Sequence, residues 1–155
     1  MASNLDGLDQ AILEALQLDS SQTNDRLAES IGLSPSAIHR RIQRLNSLGV
    51  IERRIAVVDP AKVGSGALFV VGIEVERERP ELVQPLRIWL RAEAMVQQAY
   101  YVTGTSDYIL LVTAPDIDRF DQLMSRMMLD NPNVRRFTTN VVMTAVKRGL
   151  FVPVA

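Results

Sequence analysis

Apolar positions near the start of the chain recur every three or four residues. Leu8, Ile12, Leu13 and Leu16 share one helical face, with Asp6 and Asp9 near its start, where the helix end favours acids. The polar run Asp19-Ser20-Ser21-Gln22 interrupts the pattern. Leu27, Ala28 and Ile31 make the apolar face of a second helix over 24–31, which Gly32 ends because glycine tolerates positive φ. A third helix, 36–48, has the clearest punctuation: Ser34 caps it, Pro35 suits the first helical position, and Gly49 stops it. Ile38, Ile42 and Leu45 form its narrow apolar stripe. Ser36, His39, Arg40 and Gln43 lie opposite, and Arg41 and Arg44 flank the stripe.

The period then changes. Residues 50–58 read as a strand, an extended arm or wing on which Arg53 and Arg54 reach toward phosphates. Asp59-Pro60 marks a turn and Gly64-Ser65-Gly66 a flexible junction. Alternation of Phe69, Val71, Ile73 and Val75 predicts a strand over 67–77. Pro80 opens a helix bearing Leu82, Val83, Leu86, Trp89 and Leu90. Strands follow over 95–103 and 108–114. Asp116 caps a helix with Phe120, Leu123, Met124, Met127 and Met128, and a last strand spans 134–147. The order is β-α-β-β-α-β, the ferredoxin-like pattern. The expected organisation is a helix-turn-helix domain at 1–54, a linker at 55–66 and a ferredoxin-like domain at 67–155.

That sheet has helices on one face only. Yet Ile109, Leu110, Leu111 and Val112 are apolar on both faces of their strand, and Phe137, Val141 and Met143 face away from Val142 and Val146. The open face needs a cover, and a second copy of the chain is the natural one, giving a homodimer through the sheets.

Composition narrows the function. The 155 residues are 47% hydrophobic and 23% charged, as in ordinary folded proteins, with no cysteine and a single histidine, His39. Thiolate and His-rich metal sites and cysteine nucleophiles are therefore excluded. No apolar run approaches a membrane span, and MASNLDGLDQ lacks the regions of a signal peptide, so the expected setting is the cytoplasm. No catalytic residues, metal or cofactor are expected.

The net charge of −1 conceals a strong local pattern. Residues 1–33 carry six acids and one base, whereas residues 34–54 carry five arginines (Arg40, Arg41, Arg44, Arg53, Arg54) and one acid, Glu52. A basic window beside a punctuated turn suits double-stranded DNA, with the third helix in the major groove. The alternative is a merely solvated charged face. His39 stands either as a solvent-facing polar residue or as a base or phosphate contact.

In the second domain, Thr103-Gly104-Thr105-Ser106-Asp107 is a tight turn ending in an acid. Asp107 either only makes the turn or meets the ammonium of a small ligand at a subunit junction. Thr138 and Thr139 place hydroxyls where they could line the same cleft. Met124, Met127 and Met128 read as core rather than as a cofactor contact.

Taken in order, these residues resemble the Lrp/AsnC (feast/famine) family of transcription regulators. Leu8-Asp9-Gln10-Ala11-Ile12-Leu13 looks like its opening helix. Leu27-Ala28-Glu29-Ser30-Ile31-Gly32-Leu33-Ser34, Arg41-Ile42-Gln43-Arg44-Leu45 and Gly49-Val50-Ile51 look like its helix-turn-helix. Thr103-Gly104-Thr105-Ser106-Asp107-Tyr108 resembles the G-x-x-D turn of its effector domain. Val134, Thr139 and 141–147 resemble its final strand. The resemblance implies an α+β chain, a winged helix-turn-helix followed by a ferredoxin-like effector domain. It also implies dimers assembling into octamers or similar rings, with amino-acid effectors between dimers. Gly104 and Asp107 match the effector loop, and Thr139 a threonine near it. One departure is Asp19-Ser20-Ser21, where the family often has Asp-Gly-Arg.

Sirohaem decarboxylases resemble the same architecture, and such an enzyme is the competing reading. That chemistry calls for basic and histidine side chains at a tetrapyrrole pocket. The only histidine here lies in the third helix, and the second domain shows no acid–base or nucleophile constellation.

Overall fold

Three helices form where the apolar spacing predicts them: α1 (Gly7–Leu18), α2 (Asn24–Ile31) and α3 (Pro35–Ser47). Each start is capped by a side chain. The Asp6 carboxylate accepts the Asp9 N–H at 2.8 Å, and Asp9 accepts the Asp6 N–H in return. The Thr23 hydroxyl accepts Arg26 N–H and the Ser34 hydroxyl accepts Ala37 N–H. Gly32 ends α2 in the left-handed region at φ 78°. Ile12, Leu27, Ile38 and Leu45 are completely buried between the three helices, with Leu13, Ala28 and Ile42 beside them.

The computed structural model describes residues 5–154. The chain divides into two units, Met1–Ala56 with Lys147–Ala155, and Val57–Val146. The last residues therefore pack with the helical unit, although the sequence suggested one C-terminal domain to 155. Its outermost limits, 1–4 and 155, lie outside the described residues. Val154 packs at the edge of the helical core.

The second unit is a four-stranded antiparallel sheet in the order β2-β3-β1-β4. Its strands are β1 (Ala67–Val75), β2 (Val96–Tyr101), β3 (Tyr108–Ala114) and β4 (Val134–Val141). Helices α4 (Pro80–Ala92) and α5 (Ile117–Asp130) follow β1 and β3, completing the ferredoxin-like order. Asp116 caps α5, as expected.

Phe69, Val71 and Ile73 of β1 and Tyr108, Leu110 and Val112 of β3 bury one sheet face against Leu86, Leu90, Leu123, Met124 and Met127. Phe120 stacks on Phe69, ring centroids 3.9 Å apart. Met124 and Met127 are core, and Met128 packs partly buried against them.

Two expected strands differ. Residues 50–58 are not a strand, since this segment pairs with no strand among the described residues and a ladder needs a neighbouring backbone. The last strand stops at Val141 rather than 147, because β1 runs out of partners: Val141 pairs with Phe69, near the start of β1.

Candidate DNA interface and effector loop

Helix α3 is positioned by its apolar stripe. With Ile38, Ile42 and Leu45 buried, Ser36, His39, Arg40 and Gln43 are all exposed on the outer surface. The Ser34 hydroxyl lies 3.1 Å from that of Ser36, and the His39 ring lies 3.4 Å from the Asn24 amide. Arg40, Arg53 and Arg54 are exposed and make no ion pair among the described residues. They are cations available to an anionic partner.

Arg41 and Arg44, expected to serve phosphates, have other partners. Arg41 Nη1 lies 2.8 Å from both Asp6 Oδ2 and Asp9 Oδ1, and Arg44 pairs with Asp9 Oδ2. The Asp9 side chain has no solvent exposure. A buried carboxylate costs several kcal/mol unless paired, so both arginines are first of all structural cations. The Asp6 carboxyl is held below its ordinary pKa, chiefly because it accepts the Asp9 backbone N–H and then because of the Arg41 guanidinium. Sequence reasoning placed Asp6 and Asp9 by helix dipole alone and missed this cluster. Opposite charges on two stretches that pack together were the available signal.

In the second unit the 103–107 turn joins β2 to β3. Gly104 has φ 127°, which side-chain-bearing residues rarely adopt. Asp107 Oδ2 accepts the Val75 N–H at 2.7 Å, beside the register shift between Glu74 and Val75. One oxygen of this carboxylate therefore braces the end of β1.

Thr138 and Thr139 do not line one cleft. Thr138 pairs with Gly72 and Thr139 with Val71, and successive strand residues point to opposite faces. Thr139 shares the helix-side face with Val71 but is itself exposed on the edge strand. Thr138 shares the open face with Gly72, and the Ser106 hydroxyl converges there too. A Cβ at Gly72 would stand 2.5 Å from Ser106 Oγ and 2.9 Å from Thr138 Oγ1. Sequence reasoning did not single out the close approach of Ser106 and Thr138 to Gly72. A glycine in an otherwise apolar strand was the signal for a close approach.

Nearby, the Glu74 carboxyl is held below its ordinary pKa by the Arg136 guanidinium, 2.6 Å away. At the edge of the sheet the Arg87 guanidinium lies over the Tyr101 ring and its Nε donates to the Tyr108 hydroxyl at 3.0 Å. The Tyr101 hydroxyl donates to Glu78, which raises its pKa. Among the described residues no group of acidic, histidine or cysteine side chains has the arrangement of a metal site.

A three-helix unit with an exposed basic recognition helix, joined in one chain to a ferredoxin-like sheet, is the build of a DNA-binding transcription regulator. The comparisons agree. Residues 5–52 match the family described as winged helix-turn-helix DNA-binding, and residues 68–150 match the Lrp/AsnC ligand binding domain. The chain belongs to the Lrp/AsnC family of transcriptional regulators.

It is 40% identical over 153 residues to the "Uncharacterized HTH-type transcriptional regulator y4tD" of Sinorhizobium fredii, covering 99% of this chain and 90% of that protein. An AsnC family transcriptional regulator from Agrobacterium tumefaciens superposes with TM-score 0.90 at 32% identity, over 96% of this chain and 97% of that one. The transcriptional regulator NMB0573 of Neisseria meningitidis, solved as an L-Met complex, superposes with TM-score 0.90 at 25% identity, over 97% of each chain. These families and relatives are regulators rather than enzymes, so the decarboxylase reading is not favoured. No helix among the described residues is long and apolar enough to cross a membrane.

Proposed function

We propose that α3 enters the DNA major groove with Ser36, His39, Arg40 and Gln43 toward base edges, while Arg53 and Arg54 neutralise phosphates. The carrying observation is the exposed face of α3 beside three arginines that no carboxylate engages among the described residues. Ser34 serves as the cap that sets the start of the helix.

The effector is a free amino acid held at the 103–107 turn. Its ammonium meets the Asp107 oxygen that Val75 leaves, Gly104 admits it to the backbone, and the hydroxyls of Ser106 and Thr138 offer further partners. The bound L-Met of the meningococcal relative supports this ligand class. Two copies cover the open sheet face, where Leu68, Val70, Ile109 and Leu111 are half-buried and Tyr100 is 52% exposed. Such dimers assemble further, toward octamers, and act in the cytoplasm. A ligand that favours one assembly then shifts DNA affinity by its differential binding to the two states.

The test is fluorescence anisotropy on duplexes from the region upstream of its own gene, with each of the twenty amino acids in turn. Arg40→Ala should relax base preference at one position at a cost of about 1–3 kcal/mol. Arg53→Ala should weaken all duplexes alike. Parent-like binding by both variants refutes the DNA assignment. Sedimentation at micromolar concentration tests the assembly, and a stable monomer refutes it.

A further inference from the structure

The basic window of the helical unit is less basic than its composition implies. Arg41 Nη1 lies 2.9 and 2.8 Å from the two oxygens of Asp6 and 2.8 Å from Asp9 Oδ1, while Arg44 holds Asp9 Oδ2. Two acids of α1's first turn and its cap thus form a neutral quartet with two arginines of α3.

The two acids are not equivalent. Asp9 is fully buried and needs cations for its own sake, and Arg44 alone already supplies one. Asp6 is 54% exposed, and with Arg40, Arg41 and Arg44 it lines an open basin of about 450 Å³. Its role as a cap does not require a charge either, since asparagine and serine cap as well as aspartate. Burial does not account for a negative charge there, and capping and the helix end favour one without requiring it. Its position gives that charge a further role: it shares the basin with Arg40, a residue of the exposed face of α3. A free guanidinium binds any phosphate, and phosphate contacts carry no sequence information.

We propose that Asp6 is a specificity-determining residue, whose carboxylate keeps Arg41 in the neutral quartet and off the DNA backbone. Binding to arbitrary DNA is thereby held down, and affinity depends on the base-facing side chains of α3. This rests on the reading of α3 as the DNA-contacting helix.

The test compares the parent with Asp6→Asn and Asp6→Ser, both of which retain a cap. The probes are the tightest duplex that the parent selects from a random-sequence pool and a scrambled duplex of equal composition, titrated over a range of salt. Both variants should bind the scrambled duplex more tightly, with the log–log salt slope steeper by about one unit, the size expected for one added phosphate contact. The selected-to-scrambled ratio should fall. Adding Arg41→Gln to Asp6→Asn should restore the parental slope. An unchanged slope, an unchanged ratio, or a double variant that keeps the steep slope overturns the proposal. Failure of the underlying reading looks different: the parent selects no duplex, or Arg40→Ala binds the selected duplex like the parent, and the proposal then falls with it.

Discussion

Gln17 and Val152, 135 positions apart in the chain, exchange two hydrogen bonds: Val152 N–H donates to Gln17 Oε1 at 2.7 Å, and Gln17 Nε2 donates to the Val152 carbonyl at 3.0 Å. The amide side chain stands in for a neighbouring peptide group. It docks the tail on α1, and Val154 follows into the edge of the core. The strand that carries Thr138 is thus followed in the chain by a segment fastened to the helical unit. Gln17→Ala should lower the stability of that unit by about 1 kcal/mol, since both bonds are exposed. Urea denaturation followed by far-UV circular dichroism would show an earlier midpoint.

The ion cluster predicts an asymmetry. Removing both Arg41 and Arg44 strands a carboxylate with no solvent exposure, which should cost about 3–5 kcal/mol. Asp9→Asn instead leaves two guanidiniums that are 24% and 46% exposed and can rehydrate, for a loss of about 1–2 kcal/mol. Paired denaturation curves decide it. Equal losses would show that Asp9 has another route to solvation.

Acid should weaken both units in a set order. Glu74 and Asp6 both have native pKa values below their ordinary 4.5 and 3.8. A carboxylate of that kind adds stability above its unfolded pKa and loses it as pH falls through the native one. The Glu74 contribution should begin to fade first, below about 4.5, and that of Asp6 below about 3.8. Thermal melts between pH 6 and pH 3, read at each unit, test the order. Asp6→Asn should flatten the later loss alone.

Gly72→Ala should disturb the candidate effector site more than the sheet. The added methyl meets two side-chain hydroxyls rather than backbone, so rotation of Ser106 and Thr138 relieves it, at a cost of about 1–3 kcal/mol. Calorimetry should show the amino-acid response weakened while the strands persist. An unchanged affinity would place the ligand away from these hydroxyls.

Asp107 separates bracing from binding. Asp107→Asn keeps an oxygen for the Val75 N–H and removes the charge, so the fold and basal DNA binding should persist while the ligand response is lost. Asp107→Ala removes both, leaving the Val75 N–H without that acceptor, and should also lower stability by about 1–3 kcal/mol. Retention of full ligand affinity in Asp107→Asn would leave Asp107 as a brace only.

Elements with strong local punctuation were legible in the sequence. The helix α2 has its expected bounds, between the capping Thr23 and Gly32, and β3 runs from Tyr108 to Ala114 as its apolar run predicts. The exposed face of α3 was also legible, because a helix with one buried stripe has only one way to turn the rest outward. What failed depended on partners. The 50–58 segment looked like a strand by composition, but no neighbouring strand among the described residues supplies its ladder. The two threonines looked like one site by adjacency, and the pleat sends them to opposite faces.

The amino-acid pattern by itself determined the order of the five α-helices and the four paired strands and which side chains of α3 turn outward, since caps, periods and turn residues act within a few positions. Tertiary structure alone decided which charges are spent. It drew Arg41 and Arg44 to a buried Asp9, gave one Asp107 oxygen to Val75, set Ser106 and Thr138 over Gly72, and fastened Val152 to Gln17. Each of these joins residues far apart in the chain, and a buried charge or peptide group takes whichever partner packing brings within reach.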